Sequence, residues 1–133
     1  MGIVTRWNYK CGIATYTKYL LDNLYDKDIM VKVFANNERL AELIDDDNVI
    51  RCWNNGLDKN LDSLYEEIIN NQIDIVNIQF NFGFFNLNAL SELIIKLKKK
   101  NIKVVITFHS VKDTTFLEVP VSLGVIKFFL GIS

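Results

Sequence analysis

The chain is expected to fold as an α/β domain, a doubly wound and mostly parallel sheet with helices on both faces. Three observations predict this. Segments with helical apolar spacing alternate with short β-branched runs. The strand runs are apolar throughout, the pattern of strands covered on both sides. The chain has 133 residues, half of them hydrophobic, enough for one domain with a substantial core.

The first strand is expected at residues 2–5, a short apolar run. A polar loop, 6–11, leads to Gly12, where a helix opens with Ile13, Tyr16, Leu20 and Leu24 on its apolar face. Residues 29–35 form a second β-branched run. A short helix is expected over 37–44, with Leu40, Leu43 and Ile44 on one side, and a third strand at 49–53. Leu57, Leu61, Leu64 and Ile68 mark the next helix, with Asp58 or Asn60 as its cap. Residues 73–79 read as a strong buried strand. After a loop rich in Phe and Asn, residues 80–86, a helix carries Leu87, Leu90, Ile94 and Leu97. Its last turn holds Lys98, Lys99 and Lys100, cations that suit the carbonyl end of the helix dipole and require no nucleic acid. The fifth strand is expected at 102–108. The domain is taken as residues 1–112. Residues 113–133 are taken as an incomplete or aberrant tail, in which 125–132 reads equally as helix or strand.

Composition narrows the function classes. A formal net charge of -1 provides no global field for nucleic acid or an anionic membrane. Cys11 and Cys52 form neither a CxxC pair nor a metal-ligand spacing and read as reduced thiols. Arg6, Asn8 and Lys10 follow the start directly, without the apolar core of a signal peptide, and no run reaches the length of a membrane span. The expected location is therefore cytoplasmic, with peripheral contact at the inner face of a membrane left open.

In an open parallel sheet, ligands bind beyond the carboxyl ends of the strands, where strand order reverses. The most distinctive residues occupy those positions. Lys10, Cys11 and Gly12 sit where a loop meets a helix amino end, whose free N–H groups suit a phosphate; Arg6 adds charge nearby. Gln79 and Asn81 flank Phe80, so alternation places both amides on one side, a chemistry that binds hydroxyls. Gly83 would let the following loop turn tightly. His109, the single histidine, follows the last strand and can donate or accept near neutral pH. Trp7, Trp53 and the four phenylalanines at 80, 82, 84 and 85 read as core. No metal-ligand pattern appears, and the single glycine at the first loop is not the GxGxxG of dinucleotide-binding domains.

Three segments together resemble the amino-terminal domain of group 1 (family 4) glycosyltransferases of the GT-B fold: CGIATYTKYLLDNL (11–24), IVNIQFNFGFF (75–85) and IKVVITFHS (102–110). The resemblance implies a Rossmann-like half of a two-domain enzyme acting in polysaccharide, glycolipid or glycoprotein assembly. Sugar transfer would proceed with retention of configuration and without a metal or other cofactor. It implies that the loop of Lys10, Cys11 and Gly12 faces the diphosphate of a nucleotide-sugar donor. It places Gln79, Asn81 and Gly83 at a carbohydrate or lipid-linked acceptor, and His109 at the reaction centre as the catalytic residue. Relatives often carry His and an acidic residue where this chain has Phe80 and Asn81, so a base at that position is lost. The second Rossmann domain, which grips the nucleotide, is absent from the sequence, so the chain alone is expected to be inactive. The alternative is a non-catalytic Rossmann-like module that binds carbohydrate or protein. A receiver-type signalling domain is disfavoured, because Thr5 and Arg6 stand where clustered acids would be required.

Overall fold

The computed structural model describes residues 1–24, 28–40, 42–56 and 58–109. The expected tail 113–133, the boundary at 112 and Leu57 lie outside the described residues. Five strands form one all-parallel sheet: β1 Gly2–Thr5, β2 Lys32–Asn36, β3 Val49–Trp53, β4 Ile75–Phe80 and β5 Lys103–Phe108. Three helices accompany it: α1 Gly12–Asp22, α2 Asp62–Asn70 and α3 Leu87–Lys99. The spatial order β3-β2-β1-β4-β5 makes the chain start at the centre, wind outward to β3, then cross back to β4 beside β1. This is the Rossmann-like doubly wound arrangement.

Strand alternation divides the core in two. Val4, Phe34, Val76 and Ile78 face α2 and α3 and join Leu64, Ile68, Leu90, Ile94 and Leu97 in the large core cluster. Residues one step along each strand, Val33 and Ala35, face the other way and pack with Trp7 and Leu21 of α1. Helices therefore cover both faces, although α1 covers its side thinly. Gly2 is forced at its position, because a Cβ there would lie 2.6 Å from the Phe34 ring.

Several expectations shift. The buried face of α1 is Ala14 and Thr17, whereas Tyr16 and Leu24 are exposed. The Thr17 hydroxyl lies 3.0 Å from that of Thr5 and donates to the Ile13 carbonyl, so small residues bring this helix close to the sheet. Strand β2 begins at Lys32 and leaves Ile29 and Met30 exposed. Among the described residues β5 is an edge strand, and its Val105 and Phe108 are exposed, so the burial expected on both faces is not met along β5. Beside it a groove of about 600 Å³ is lined by Ile94, Ile102, Val104, Ile106 and Phe108 together with the polar Lys98, Asn101 and Lys103.

The expected helix over 37–44 is absent among its described residues, and Ile44 is 89% exposed. The backbone there is committed elsewhere. The Asn37 N–H donates to the Trp53 carbonyl and that of Leu40 to Asn8, while Arg51 takes the carbonyls of Asn36 and Glu38. At α2 the Asn60 side chain accepts from the Asp62 N–H, while Asp58 accepts from Asn54 instead. Helix α3 is capped by Asn86, whose side chain accepts from the Ala89 N–H at 3.1 Å. Lys96, Lys98 and Lys99 lie in its last turn.

Leu64 is fully buried in the larger cluster, so Leu64→Ala should cost about 2–5 kcal/mol through lost burial and a residual cavity. Gly2→Ala should cost about 1–3 kcal/mol through overpacking against Phe34. Urea unfolding would measure both; an unchanged midpoint for either would contradict the packing described.

Candidate functional site

Because all five strands run parallel, every strand ends at the same rim of the sheet. Strand order reverses between β1 and β4, so the loops that follow them leave in opposite directions. His109 stands beside that point, immediately after β5. Its backbone N–H donates to the Phe80 carbonyl at 3.2 Å, which holds it level with the end of β4.

The imidazole is partly exposed at the rim and terminates a chain of polar side chains crossing β4 and β5. Thr107 Oγ1 accepts from Asn77 Nδ2 at 3.2 Å. Asn77 Oδ1 accepts from Gln79 Nε2 at 2.5 Å, and Gln79 Oε1 lies 2.5 Å from His109 Nε2. Gln79 is fully buried. The Tyr16 ring of α1 meets the imidazole edge-on at 5.0 Å and 76°. Burial of the ring lowers the His109 pKa from its ordinary value, keeping the imidazole neutral further into the acid range.

The first loop is braced from within. Cys11 caps α1, its sulfur accepting from the Ala14 N–H at 3.4 Å. A Cβ at Gly12 would meet nothing within 4 Å, so the space beside the helix start is open and the fold places no steric demand on that glycine. Lys10 is exposed at the loop's surface. Arg6 is already engaged. Its guanidinium lies 3.9 Å from the Tyr9 ring centroid and 5.4 Å from that of Phe84, and it pairs with Glu38 at 3.0 Å. It therefore bridges the β1 and β4 loops rather than offering a free charge, and its buried Nε has no partner among the described residues.

The two amides expected to act together are separated. Gln79 joins His109, whereas Asn81 closes its own turn by accepting from the Gly83 N–H at 2.9 Å. Gly83 has no positive φ. The glycine that needs a left-handed backbone is Gly56, with φ +69°, whose N–H donates to the Phe84 carbonyl at 2.6 Å. Phe80, Phe84 and Phe85 are buried, and Phe85 stacks on Trp53 at 4.7 Å. Both tryptophans are buried, and Trp53 Nε1 donates to the Phe34 carbonyl.

Sequence reasoning missed Arg51. Its guanidinium donates to both oxygens of Asp45 at 2.7 and 2.8 Å, to the carbonyls of Glu38 and Trp7, and to that of Asn36. The arginine sits in an apolar strand run, and the single signal available was the acidic turn six residues upstream. A polar cleft of about 420 Å³, lined in part by Asn37, Arg51, Asn54 and Asp58, lies at this β3 end of the sheet rather than at His109. Cys52 lines the same cleft, and burial pushes its thiol up to about 12, so it stays protonated and unreactive. Among the described residues, no group of three His, Cys, Asp or Glu side chains is placed to hold a metal.

Comparison with protein-family models, curated proteins and solved structures returns no match for this chain.

The hydrogen bond from Arg51 holds the Asp45 carboxyl below the ordinary carboxylate range. The resulting stability is full above that range and is lost as pH falls through the lower folded value. Asp45→Asn should therefore cost about 1–3 kcal/mol at neutral pH and less in acid. Urea unfolding at both pH values would show it; an equal cost in acid would contradict the ion pair's role. His109 follows the same direction from a different cause, because burial penalises its charged form. Its contribution is full above the ordinary histidine range and declines as pH falls toward its lowered folded value.

Proposed function

We propose that this chain is the acceptor-side domain of a glycosyltransferase that moves a sugar from a nucleotide-sugar to a glycan, lipid-linked or protein acceptor. The observation that carries the reading is the juxtaposition at one rim of a partly buried imidazole and an open helix amino terminus. His109 and Gly12 belong to different crossovers, and Tyr16, one turn along α1 from Gly12, touches the imidazole. A sugar hydroxyl can hydrogen-bond an imidazole, and a diphosphate is stabilised by free N–H groups at a helix start.

In this reading Lys10, Cys11 and Gly12 face the donor diphosphate, and His109 contacts the sugar undergoing transfer. Gln79, Asn81 and Gly83 shape the acceptor side, Gln79 through the imidazole and Asn81 through its turn with Gly83. Leaving-group charge falls on helix N–H groups and basic side chains, which is electrostatic stabilisation without a metal. Asn81 accepts and donates hydrogen bonds but supplies no base. Retaining transfer requires a second lobe closing over the donor, so turnover in this reading belongs to the two lobes together. No described helix is long and apolar enough to cross a membrane.

The engagement of Arg6 by Glu38, Tyr9 and Phe84 favours a second reading, in which the rim binds carbohydrate or a protein partner without reaction, because a cation near the phosphate position is already spent.

Amide spectra of the 133-residue chain, titrated with nucleotide-sugars and with simple saccharides, distinguish these readings. The transferase reading expects nucleotide-sugars to move the Gly12 and Ile13 amides and saccharides to move His109, with His109→Ala lowering saccharide affinity about tenfold. Saccharide shifts with no response at Gly12 would favour the module. Silence at both positions, or turnover by the isolated chain, would overturn the proposal as stated.

A further inference from the structure

The polar ladder beneath the imidazole has a direction. Thr107 Oγ1 lies nearer Asn77 Nδ2, at 3.2 Å, than Asn77 Oδ1, at 3.5 Å, so the amide donates to the hydroxyl while its Oδ1 also faces Gln79. That oxygen receives Gln79 Nε2, and so Gln79 turns its other amide atom, the carbonyl Oε1, toward His109. A carbonyl oxygen only accepts. With 2.5 Å between Oε1 and Nε2, the ring nitrogen must carry the proton, because two facing lone pairs would repel. Reversing the polarity requires the Asn77 amide and the buried Gln79 amide to invert together.

We propose that Gln79 is a positioning residue that holds His109 as the Nε2–H tautomer, leaving Nδ1 as the ring nitrogen that accepts a hydrogen bond or proton from a hydroxyl at the rim. This rests on the proposed role of His109, which it deepens: it assigns the acceptor atom and the residue that selects it. Gln79 is suited to the task because it is fully buried and both ends of its amide are occupied. The Phe80 carbonyl holds the histidine backbone, and the Tyr16 ring packs against the imidazole at 5.0 Å. Of the elements packed on the ring, α1 presents the phenol of Tyr16 and β4 presents the neutral Gln79 amide. Burial rather than a neighbouring charge accounts for the ring's lowered basicity. The arrangement is that of a second residue setting the tautomer of an acting imidazole.

His109 is the only histidine, so the labelled 133-residue chain has a single imidazole to observe. Two-bond proton–nitrogen correlations, recorded without ligand and above the histidine titration, read the tautomer directly. The expected pattern is a protonated Nε2 and a bare Nδ1. In Gln79→Glu the carboxylate would stabilise the imidazolium and raise the His109 titration midpoint by about one unit or more. In Gln79→Leu the ring should become a tautomer mixture. Circular dichroism and amide dispersion would verify that each variant folds. A dominant Nδ1–H form in the unsubstituted chain would overturn the proposal without any variant, as would an unaltered tautomer in a folded Gln79→Leu. Because no ligand is present, a correct tautomer with no saccharide binding would sink the transferase reading alone.

Discussion

The structure depends on β1 lying between two parallel neighbours. Gly2–Thr5 is buried along its whole length and pairs with β2 on one side and β4 on the other. That placement brings strand order to its turning point beside the first loop. It also commits the strands to a common direction, so each strand's final residue arrives at one rim. The four residues of β1 leave no room for error: Gly2 is pressed against Phe34, Val4 enters the larger core, and Thr5 meets Thr17 of α1. A sheet begun at an edge would have no reversal point between the loops that follow β1 and β4.

Much of this was legible in the sequence because the signals were local. β1 and β3 are found at their expected bounds, since a short apolar run stops at a polar residue. The positions of Gly12 at a helix start and His109 just past a strand follow from the same punctuation. The missed features are those that depend on distant partners. The stretch 37–44 has helical spacing, but its carbonyls are claimed by Arg51 and its amides by Asn8 and Trp53, residues up to 32 positions away in sequence. Asn81 follows strand alternation only until its own side chain closes a turn. The apolar face assigned to α1 by periodicity holds at Ile13, which packs on the larger core, but not at Tyr16 or Leu24, because close contact with the sheet is made by the small residues Ala14 and Thr17.

Arg51 explains why a connection between two parallel strands holds its shape without a helix. Its charge is matched by Asp45 and its remaining donors are spent on three backbone carbonyls, two of them in the connection's first residues or just before it and one in the β1 loop. The guanidinium geometry suits this work, since several donors in a fixed plane can meet several acceptors at once. The same residue therefore ties the β1 loop to the far side of the sheet, while Arg6 ties it to the β4 loop through Phe84. Between them the first loop is fastened at both ends.

The two faces of the sheet are unequally held. One carries α2 and α3 over nearly all the large buried side chains; the other carries α1 over Trp7, Val33 and Ala35. Local opening follows the thinner attachment, because the free energy of a partial unfolding scales with the apolar contacts it breaks. Helix α1 is the more lightly attached of the described helices, and it bears Gly12 at one end and Tyr16 a turn later, so tilting it would move the first loop and uncover the imidazole together.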